Sequence, residues 1–358
     1  MLKEAFQYSY INAKIRTLKS RLLVPSDYEN LLGVSGYSGL AECLRATSYG
    51  ASLGQFPASF DGLIKVFYQD MFECYRKVIR ALSGNRKRLI QHLYQKYELE
   101  NLKAIVRVIG QEKPREKMEE ILLPTNSPNP AGDYWRSFLE GDLLQANSLE
   151  EVLAQLKKTC YYRPLKNALY RFEEEKETFP LEMALDLSYY NHLWKIASSF
   201  SHRERKIVRS ILGVQMDVLN IIWIFRFKEV YHFSPEEILN YGLMEGYHIS
   251  PELRKRLACS VDRKDVITNL GGTPYKTLLV DVKDSEASSV QLWRYLLALV
   301  KKNWKGFPFH IGTVLDYILF KEIEVKSLIC ITEAKRLNFS REKMVDYLIN
   351  AYAQEAEC

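Results

Sequence analysis

Two glycine-rich stretches are the first places where this sequence could handle phosphate. GVSGYSG (33–39) spaces its glycines by three, and LGGTPYKT (270–277) places a lysine and a threonine after a glycine pair. A Walker A loop requires GxxxxGK[ST] between a strand and a helix, so that backbone amides surround the phosphates. Neither stretch has that spacing, and the surrounding sequence is helical in character. We therefore interpret both stretches as turns.

The residue types that most often bind metals or act as nucleophiles form no recognisable motif. The six histidines show no HExxH or other ligand spacing, and the sequence contains no GxSxG. The six cysteines are far apart and never form CxxC, a pattern typical of reduced, mostly buried thiols in the cytosol. The sequence therefore predicts no catalytic residue, no metal site and no cofactor, and we do not expect an enzyme.

The composition is that of a folded protein with a modest positive charge. The 358 residues are 47% hydrophobic and 26% charged, with a net charge of +6, which is too apolar for disorder. The longest apolar runs, such as IIWIF (221–225), are about a third of a membrane span. The first residues, MLKEAFQYSYINAKIR, carry polar groups where a signal peptide would be apolar. We expect no signal peptide, no transmembrane segment and no nucleic-acid partner.

One short pattern recurs three times in a sequence dominated by helical periodicity. Three segments read Thr-x-Tyr and end on leucine: TSYGASL (47–53), TCYYRPL (159–165) and TPYKTLL (273–279), which begin 112 and 114 residues apart. The repeat markers are Thr47, Tyr49, Thr159, Tyr161, Thr273 and Tyr275. We predict that Thr159 and Tyr161 cap and pack a turn at the end of a short helix, and that the segments at 47 and 273 are its repeats.

A second pattern follows each Thr-x-Tyr segment at long range. It reads ELENLKAIVR (98–107), DVLNIIWIFR (217–226) and EVKSLICITE (324–333). The polar markers are Glu98, Asn101, Arg107, Asp217, Asn220, Arg226 and Glu324; the third copy has Ser327 and Glu333 in place of the asparagine and the arginine. Apolar residues three apart predict one buried helix face in each copy.

The spacing of the polar markers predicts what each of them contacts. Asp217 and Arg226 are nine residues apart and lie on opposite sides of a helix. We therefore expect each to anchor a different neighbouring helix through charge-assisted hydrogen bonds. Asn101 and Asn220 are poor residues for a helix interior, so their side chains should bond to nearby backbone.

The repeated patterns predict an all-α fold of three similar helical-bundle units. Their predicted ranges are 1–125, with an extra N-terminal helix, 126–248 and 249–358. Loops are expected at the joints, PTNSPNPAGD (124–133) and GLMEGYHISP (242–251). Serines at 26, 234 and 340 stand three residues before a glutamate or lysine, which predicts helix starts.

Basic residues cluster on several predicted helices. The clearest run is SHRERKIVR (201–209), with Arg203, Arg205, Lys206 and Arg209, and similar runs occupy 84–91 and 252–264. Such a run is either a solvated helix face or a docking surface for an acidic partner or anionic lipid headgroups.

Several motifs, taken in order, resemble a known family. YSYINAKIRTLKSRLL (8–23) precedes SDYENLL (26–32), then an L-x3-L-x2-T-x-Y block (Leu40, Leu44, Thr47, Tyr49), ENLKAIVR (100–107) and KEIEVKSL (321–328). Together they resemble the C subunit of the archaeal and bacterial A/V-type rotary ATPases, which is similar to the d subunit of eukaryotic V-ATPases. The resemblance covers essentially the whole chain.

This resemblance implies a function that the residues alone do not give. It implies three domains around a pseudo-threefold axis in a funnel-shaped, non-catalytic rotor subunit, cytoplasmic and peripheral on the membrane face. This subunit would be a socket between the central shaft of subunits D and F and the c/K proteolipid ring. It would transmit torque for proton or sodium transport and would have no small-molecule substrate. The alternatives are another helical repeat scaffold that binds an acidic protein, and an enzyme with an unrecognised site in a helical bundle.

Overall fold

A computed structural model describes residues 2–111, 114, 121–125, 143–304 and 308–349, and over these residues it contains helices and no strands. The all-α prediction is therefore confirmed. The α-helices are Leu2–Lys19, Pro25–Gly33, Gly36–Arg45, Phe60–Arg80, Gly84–Gly110, Leu149–Leu156, Tyr162–Glu175, Phe179–Ser198, His202–Glu229, Pro235–Tyr241, Pro251–Cys259, Arg263–Asn269, Pro274–Leu279, Ser285–Trp304, Ile311–Arg336 and Arg341–Tyr347. Short 3-10 helices occupy Ser48–Ser52 and Leu143–Gln145.

The same order of elements occurs three times along the chain. Short helices precede a long helix of 20 or 21 residues, Phe60–Arg80, Phe179–Ser198 or Ser285–Trp304. A second long helix of 26 to 28 residues then follows. We call these second helices the acid helices; they are Gly84–Gly110, His202–Glu229 and Ile311–Arg336.

The predicted apolar face of each acid helix is buried. No side chain of this face is more than 2% exposed: Leu99, Leu102, Ile105, Val218, Ile221, Ile224, Val325, Leu328 and Ile331. Burial of one such side chain contributes about 1.5–3 kcal/mol. Hydrophobic burial on this face therefore fixes which side of each acid helix the polar markers occupy.

The chain divides into two compact units, Met1–Ala81 with Ser201–Cys358, and Leu82–Phe200. The second unit joins the acid helix of the first sequence copy to the short helices and the long helix Phe179–Ser198 of the second copy. This division does not follow the three sequence copies. The copy boundaries at 125/126 and 248/249 remain predictions.

Two of the three serines that predicted helix starts cap their helices. Ser234 accepts the N–H of Glu237 at 3.3 Å and Ser340 accepts the N–H of Lys343 at 3.4 Å, so both predicted caps are confirmed. The third signature also marks a helix start, but Ser26 is not its cap. A proline is favoured at the first position of a helix, and here the helix begins one residue earlier, at Pro25. The carboxylate of Asp27, in the first turn, accepts the backbone N–H of the residue before that proline.

Only one of the two predicted joints lies fully within the described residues. Residues 242–250 are non-helical, as expected, whereas most of PTNSPNPAGD (residues 126–133) lies outside the described residues. Among the described helices, His202–Glu229 alone is long and apolar enough to cross a bilayer. However, 67% of its apolar window is buried inside the protein. Its apolar side chains therefore belong to the protein core.

Candidate functional site

The Thr-x-Tyr turns have the same hydrogen bonds in all three copies. Thr47 Oγ1 donates to the carbonyl of Leu44 at 2.7 Å and accepts the N–H of Tyr49 at 3.3 Å. The two equivalent bonds form around Thr159 and Thr273, at 2.7–3.3 Å. The threonine thus closes the turn after a short helix, which confirms the predicted capping role. We call these turns the tyrosine caps.

The tyrosines of the first and third caps donate to carboxylates of acid helices. Tyr49 Oη donates to Glu324 Oε1 at 2.6 Å, and Tyr275 Oη donates to Asp217 Oδ2 at 2.8 Å. Both tyrosines are 0% exposed. Burial raises the pKa of each phenol, and the neighbouring carboxylate raises it further. Each phenol therefore stays protonated and acts as a hydrogen-bond donor.

The second cap has its acid nearby as well. Tyr161 and Glu98 are each 2% exposed. Burial raises the pKa of Tyr161 well above its ordinary value, and the charges of Cys160 and Glu98 contribute in the same direction. Glu98 therefore lies close enough to Tyr161 for its negative charge to oppose ionisation of the phenol. We call the three combinations the tyrosine–acid pairs.

The tyrosine–acid pairs connect different sequence copies in cyclic order. The tyrosine of the second copy faces the acid of the first, and the tyrosine of the third faces the acid of the second. The tyrosine of the first copy faces the acid of the third. The markers that sequence analysis treated as separate thus form one repeated contact.

Asp217 also organises the loop between the second and third copies. Its two oxygens accept the backbone N–H groups of Tyr247, His248 and Ile249 at 2.7–3.2 Å, in addition to the tyrosine hydroxyl. Burial raises the pKa of this carboxyl in spite of these donors. A Cβ at Gly246 would lie 2.1 Å from Asp217 Oδ1, so the loop requires glycine there.

Asn101 and Asn220 form hydrogen bonds with backbone groups, as predicted. Asn101 Nδ2 donates to the carbonyl of Leu123 at 3.1 Å and its Oδ1 accepts the N–H of the same residue at 2.8 Å. Asn220 makes the same two bonds with Leu243, at 3.2 and 2.8 Å. In the third copy Ser327 instead donates to its own helix. The asparagine contact is therefore a feature of the first two copies.

The two arginines behave differently from each other. Arg107 Nε donates to Glu182 Oε1 at 3.0 Å, so it anchors the neighbouring long helix as expected. Arg226 is exposed, and its side chain makes no ion pair with any residue that the structure describes. The anchoring prediction for Arg226 is therefore wrong. A cation in the last turn is favoured by the helix dipole without a specific partner.

A lysine three residues before the acid distinguishes the third acid helix from the other two. Lys321 is 2% exposed, and its Nζ lies 2.6 Å from Asp70 Oδ2, 2.7 Å from Glu324 Oε1 and 2.9 Å from Tyr49 Oη. Glu324 Oε2 also accepts the backbone N–H of Leu23 at 2.7 Å. Burial alone would lower the pKa of Lys321, but the two carboxylates raise it overall. We call Lys321, Asp70, Glu324 and Tyr49 the lysine cluster.

This cluster was not predicted, although the sequence contains part of its signal. Lys321 and Glu324 stand three residues apart within KEIEVKSL, a spacing that places two side chains together on a helix. The lysine has no equivalent in the other two copies, so comparison of the copies did not reveal it. Asp70 comes from a different helix, and a single sequence does not show such a contact.

Asp316 is a second group that the sequence did not reveal. It is 0% exposed, and neither carboxyl oxygen has a hydrogen-bond partner among the described residues. Burial raises the pKa of this carboxyl to about 8. Asp316 is therefore mostly protonated at neutral pH.

The basic run at 201–209 occupies the first turns of the second acid helix. Arg203, Arg205 and Lys206 are exposed, and Arg209 is half-buried. Positive charge at a helix N-terminus is unfavourable, because the helix dipole is positive there. These residues thus form a basic surface at the start of their helix.

The buried polar groups described above hold helices and loops together. Hydrogen bonds to another part of the chain are made by Tyr49, Tyr275, Asp217, Glu324, Asn101 and Asn220. Across the described residues, no group of three or more His, Cys, Asp or Glu side chains is arranged to hold a metal ion. The arrangement defines an all-helical protein built from repeated units whose polar groups have a structural role.

The chain belongs to the ATP synthase (C/AC39) subunit family, whose sequence model matches residues 11–347. It is similar to the A-type ATP synthase C subunit of Archaeoglobus fulgidus, with 26% identity over 90% of each chain. The corresponding C subunit of Methanocaldococcus jannaschii is 24% identical over 98% of this chain and 88% of its own length. That of Methanosarcina acetivorans is 25% identical over 97% and 94%. The family predicted from the sequence motifs is confirmed, and membership makes this chain a subunit of an A/V-type ATP synthase complex.

Proposed function

We propose that this subunit is a non-catalytic adaptor in the central rotor of a V/A-type ATPase. It would receive the shaft of subunits D and F on one side and rest on the c/K proteolipid ring on the other. Torque would pass through it between shaft and ring during proton or sodium transport. The three-domain, funnel-shaped body around a pseudo-threefold axis is part of this proposal.

The observation that carries the proposal is the set of tyrosine–acid pairs. In two of them a buried hydroxyl donates to a buried carboxylate of another sequence copy, and in the remaining one Glu98 lies near enough to raise the pKa of Tyr161. Buried polar contacts of this kind fix the relative placement of the elements that they join. Such contacts suit a part that must transmit force without deforming.

Differences between the copies support the second half of the proposal. Only the third acid helix has a lysine, Lys321, three residues before its acid. The second acid helix begins with the basic run at Arg203–Arg209. Repeated copies suit contact with a symmetric ring, whereas differences between copies suit contact with an asymmetric shaft. The basic run would attract an acidic protein surface or anionic headgroups at the cytoplasmic face of the membrane.

A pull-down from solubilised membranes of the source organism tests the proposal. The tagged chain should recover the proteolipid subunit together with the shaft subunits and the nucleotide-binding A and B subunits. The alternative, a helical repeat scaffold for another acidic protein, predicts recovery of that protein without the proteolipid. Recovery without any proteolipid or A/B subunit would overturn the proposed function.

A further inference from the structure

A cavity of about 660 Å³ opens beside the lysine cluster. Its wall includes the segment after the N-terminal helix, the turn at 46–52, the helix Phe60–Arg80 and the third acid helix. This volume lies within the range of pockets that hold small organic ligands, about 300–1,000 Å³. The proposed rotor function makes no use of this cavity.

Every carboxylate that lines the cavity already has a partner within the protein. Asp70 is held by Lys321 at 2.6 Å, and Glu73 pairs with a neighbouring arginine. Asp27 accepts a backbone N–H at 2.8 Å at the start of its helix. These acids therefore do not need a cation from outside.

Several hydrogen-bond donors of the cavity have no such partner. Arg21 and Lys77 line it, and their side chains make no ion pair or hydrogen bond with any described residue. Ser48 Oγ is buried in the wall and has no hydrogen-bond partner in the described part of the chain. By contrast, Lys321 has contacts to three oxygens inside the protein. The cavity thus presents an exposed guanidinium, a half-buried ammonium and one buried hydroxyl that has no hydrogen-bond partner among the described residues.

We propose that this cavity binds a small organic molecule that carries a phosphate group, as a ligand and not as a substrate. The two positive charges of Arg21 and Lys77 match the charge of a phosphate monoester, about −1.5 to −2 at pH 7. A guanidinium offers paired donors that fit phosphate oxygens, and Ser48 adds a third source of hydrogen bonds. Leu23 and Tyr317 offer carbon surface to the rest of the molecule.

The position of the cavity predicts the consequence of binding. Arg21 follows the N-terminal helix, whereas Lys77 belongs to the helix Phe60–Arg80. A phosphate that contacts both would bridge two elements that meet beside the lysine cluster. A ligand that binds only the folded protein raises its melting temperature.

Binding is measured by calorimetry and by thermal unfolding with two probes that separate the sources of phosphate. Glucose 6-phosphate represents a soluble phosphate ester, with glucose as its uncharged control. Phosphatidylcholine vesicles that contain phosphatidic acid represent a lipid headgroup, with pure phosphatidylcholine vesicles as the control. The test variant is R21Q/K77Q. The matched control is K276Q/K283Q, which removes the same charge from exposed lysines that do not line the cavity.

We expect saturable binding of at least one probe by the wild type and by K276Q/K283Q, and at least tenfold weaker binding by R21Q/K77Q. Binding of glucose 6-phosphate would identify a soluble ligand, and binding of the phosphatidic acid vesicles alone would identify a lipid. Ser48→Ala should weaken binding several-fold with an unchanged circular dichroism spectrum. The proposal is overturned if neither probe binds, or if the two double variants bind equally well. Neither result depends on recovery of the rotary complex, so the two proposals are tested separately.

Discussion

Tyr49 donates its hydroxyl to Glu324 at 2.6 Å across 275 residues of chain, and this bond joins the first tyrosine cap to the last acid helix. The carboxylate also accepts a backbone N–H and the ammonium of Lys321. The contact between the first and the last copy is therefore the most strongly charged of the tyrosine–acid pairs.

Removal of the Tyr49 hydroxyl should destabilise the protein. Tyr49→Phe keeps the ring but takes one donor from a buried carboxylate, which costs about 1–3 kcal/mol. Urea denaturation of the variant gives the free energy of unfolding. Tyr10→Phe is the control, because Tyr10 is 66% exposed and should change stability little. Equal stability of Tyr49→Phe and wild type would contradict the structural role of the pair.

Replacement of the buried Lys321 should lower the free energy of unfolding more than Tyr49→Phe does. Lys321→Met leaves the half-buried Asp70 and the buried Glu324 without their shared counter-charge. Removal of one partner from a buried ion pair costs about 3–5 kcal/mol. Lys276→Met provides the control at an exposed lysine. The comparison is made by chemical denaturation at neutral pH. A loss of stability no greater than that of the control would show that the cluster is not required.

Gly246 should not tolerate a side chain. Gly246→Ala places a Cβ 2.1 Å from Asp217 Oδ1, so the loop at 247–249 must move away from the carboxylate. Overpacking of this kind costs roughly 1–3 kcal/mol. Gly33→Ala is the matched control, because its Cβ would meet no atom within 4 Å. Similar melting temperatures for the two variants would argue against the close approach.

Asp316 should make stability fall as the pH rises. Its pKa is about 8 in the folded protein and near its ordinary value of 3.8 in the unfolded chain. The unfolded state therefore loses this proton first, and folding becomes less favourable as the pH rises from about 4 to about 8. Over this pH range the free energy of unfolding should fall by an amount on the order of 5 kcal/mol.

Asp316→Asn tests this dependence, because asparagine does not titrate. The variant should lose the decline between pH 5 and 8 and should be more stable than wild type at pH 8. Urea denaturation at pH 5 and at pH 8 gives the free energies of unfolding that are compared. A decline that persists unchanged in Asp316→Asn would assign the pH dependence to other groups.

Charge reversal in the basic run tests its proposed docking role. Changing Arg203, Arg205 and Arg209 to glutamate should reduce recovery of the membrane sector several-fold, because the surface would then repel acidic groups. The melting curve by circular dichroism should stay close to that of wild type. Reversal of exposed Lys157, Lys276 and Lys283 controls for net charge. A collapsed melting curve would instead show that the arginines are structural.

The repeat explains why much of this structure could be predicted from one sequence. Comparison of the three copies identified Thr47, Thr159 and Thr273 as caps and the apolar face of each acid helix, because these features depend on local spacing. Sequence analysis did not predict which tyrosine meets which acid, since that pairing crosses from one copy to another. The capping role of Ser26 was wrong because the proline before it starts the helix earlier.

The groups that sequence analysis missed occur once. Lys321 and Asp316 have no equivalent at the same position in the other copies, so no internal comparison singles them out. Each depends on burial by residues from other helices, and burial is a property of the folded chain. Arg226 shows the converse: both it and Arg107 are exposed, but Arg107 meets Glu182 and Arg226 meets no comparable acid among the described residues.

The cyclic order of the tyrosine–acid pairs has a consequence for fragments of this protein. A single copy would present a tyrosine cap without its carboxylate and an acid helix without its tyrosine. Complementary, unlike surfaces of this kind favour head-to-tail self-association. With three copies in one polypeptide, each tyrosine cap lies near an acid of another copy within the same molecule.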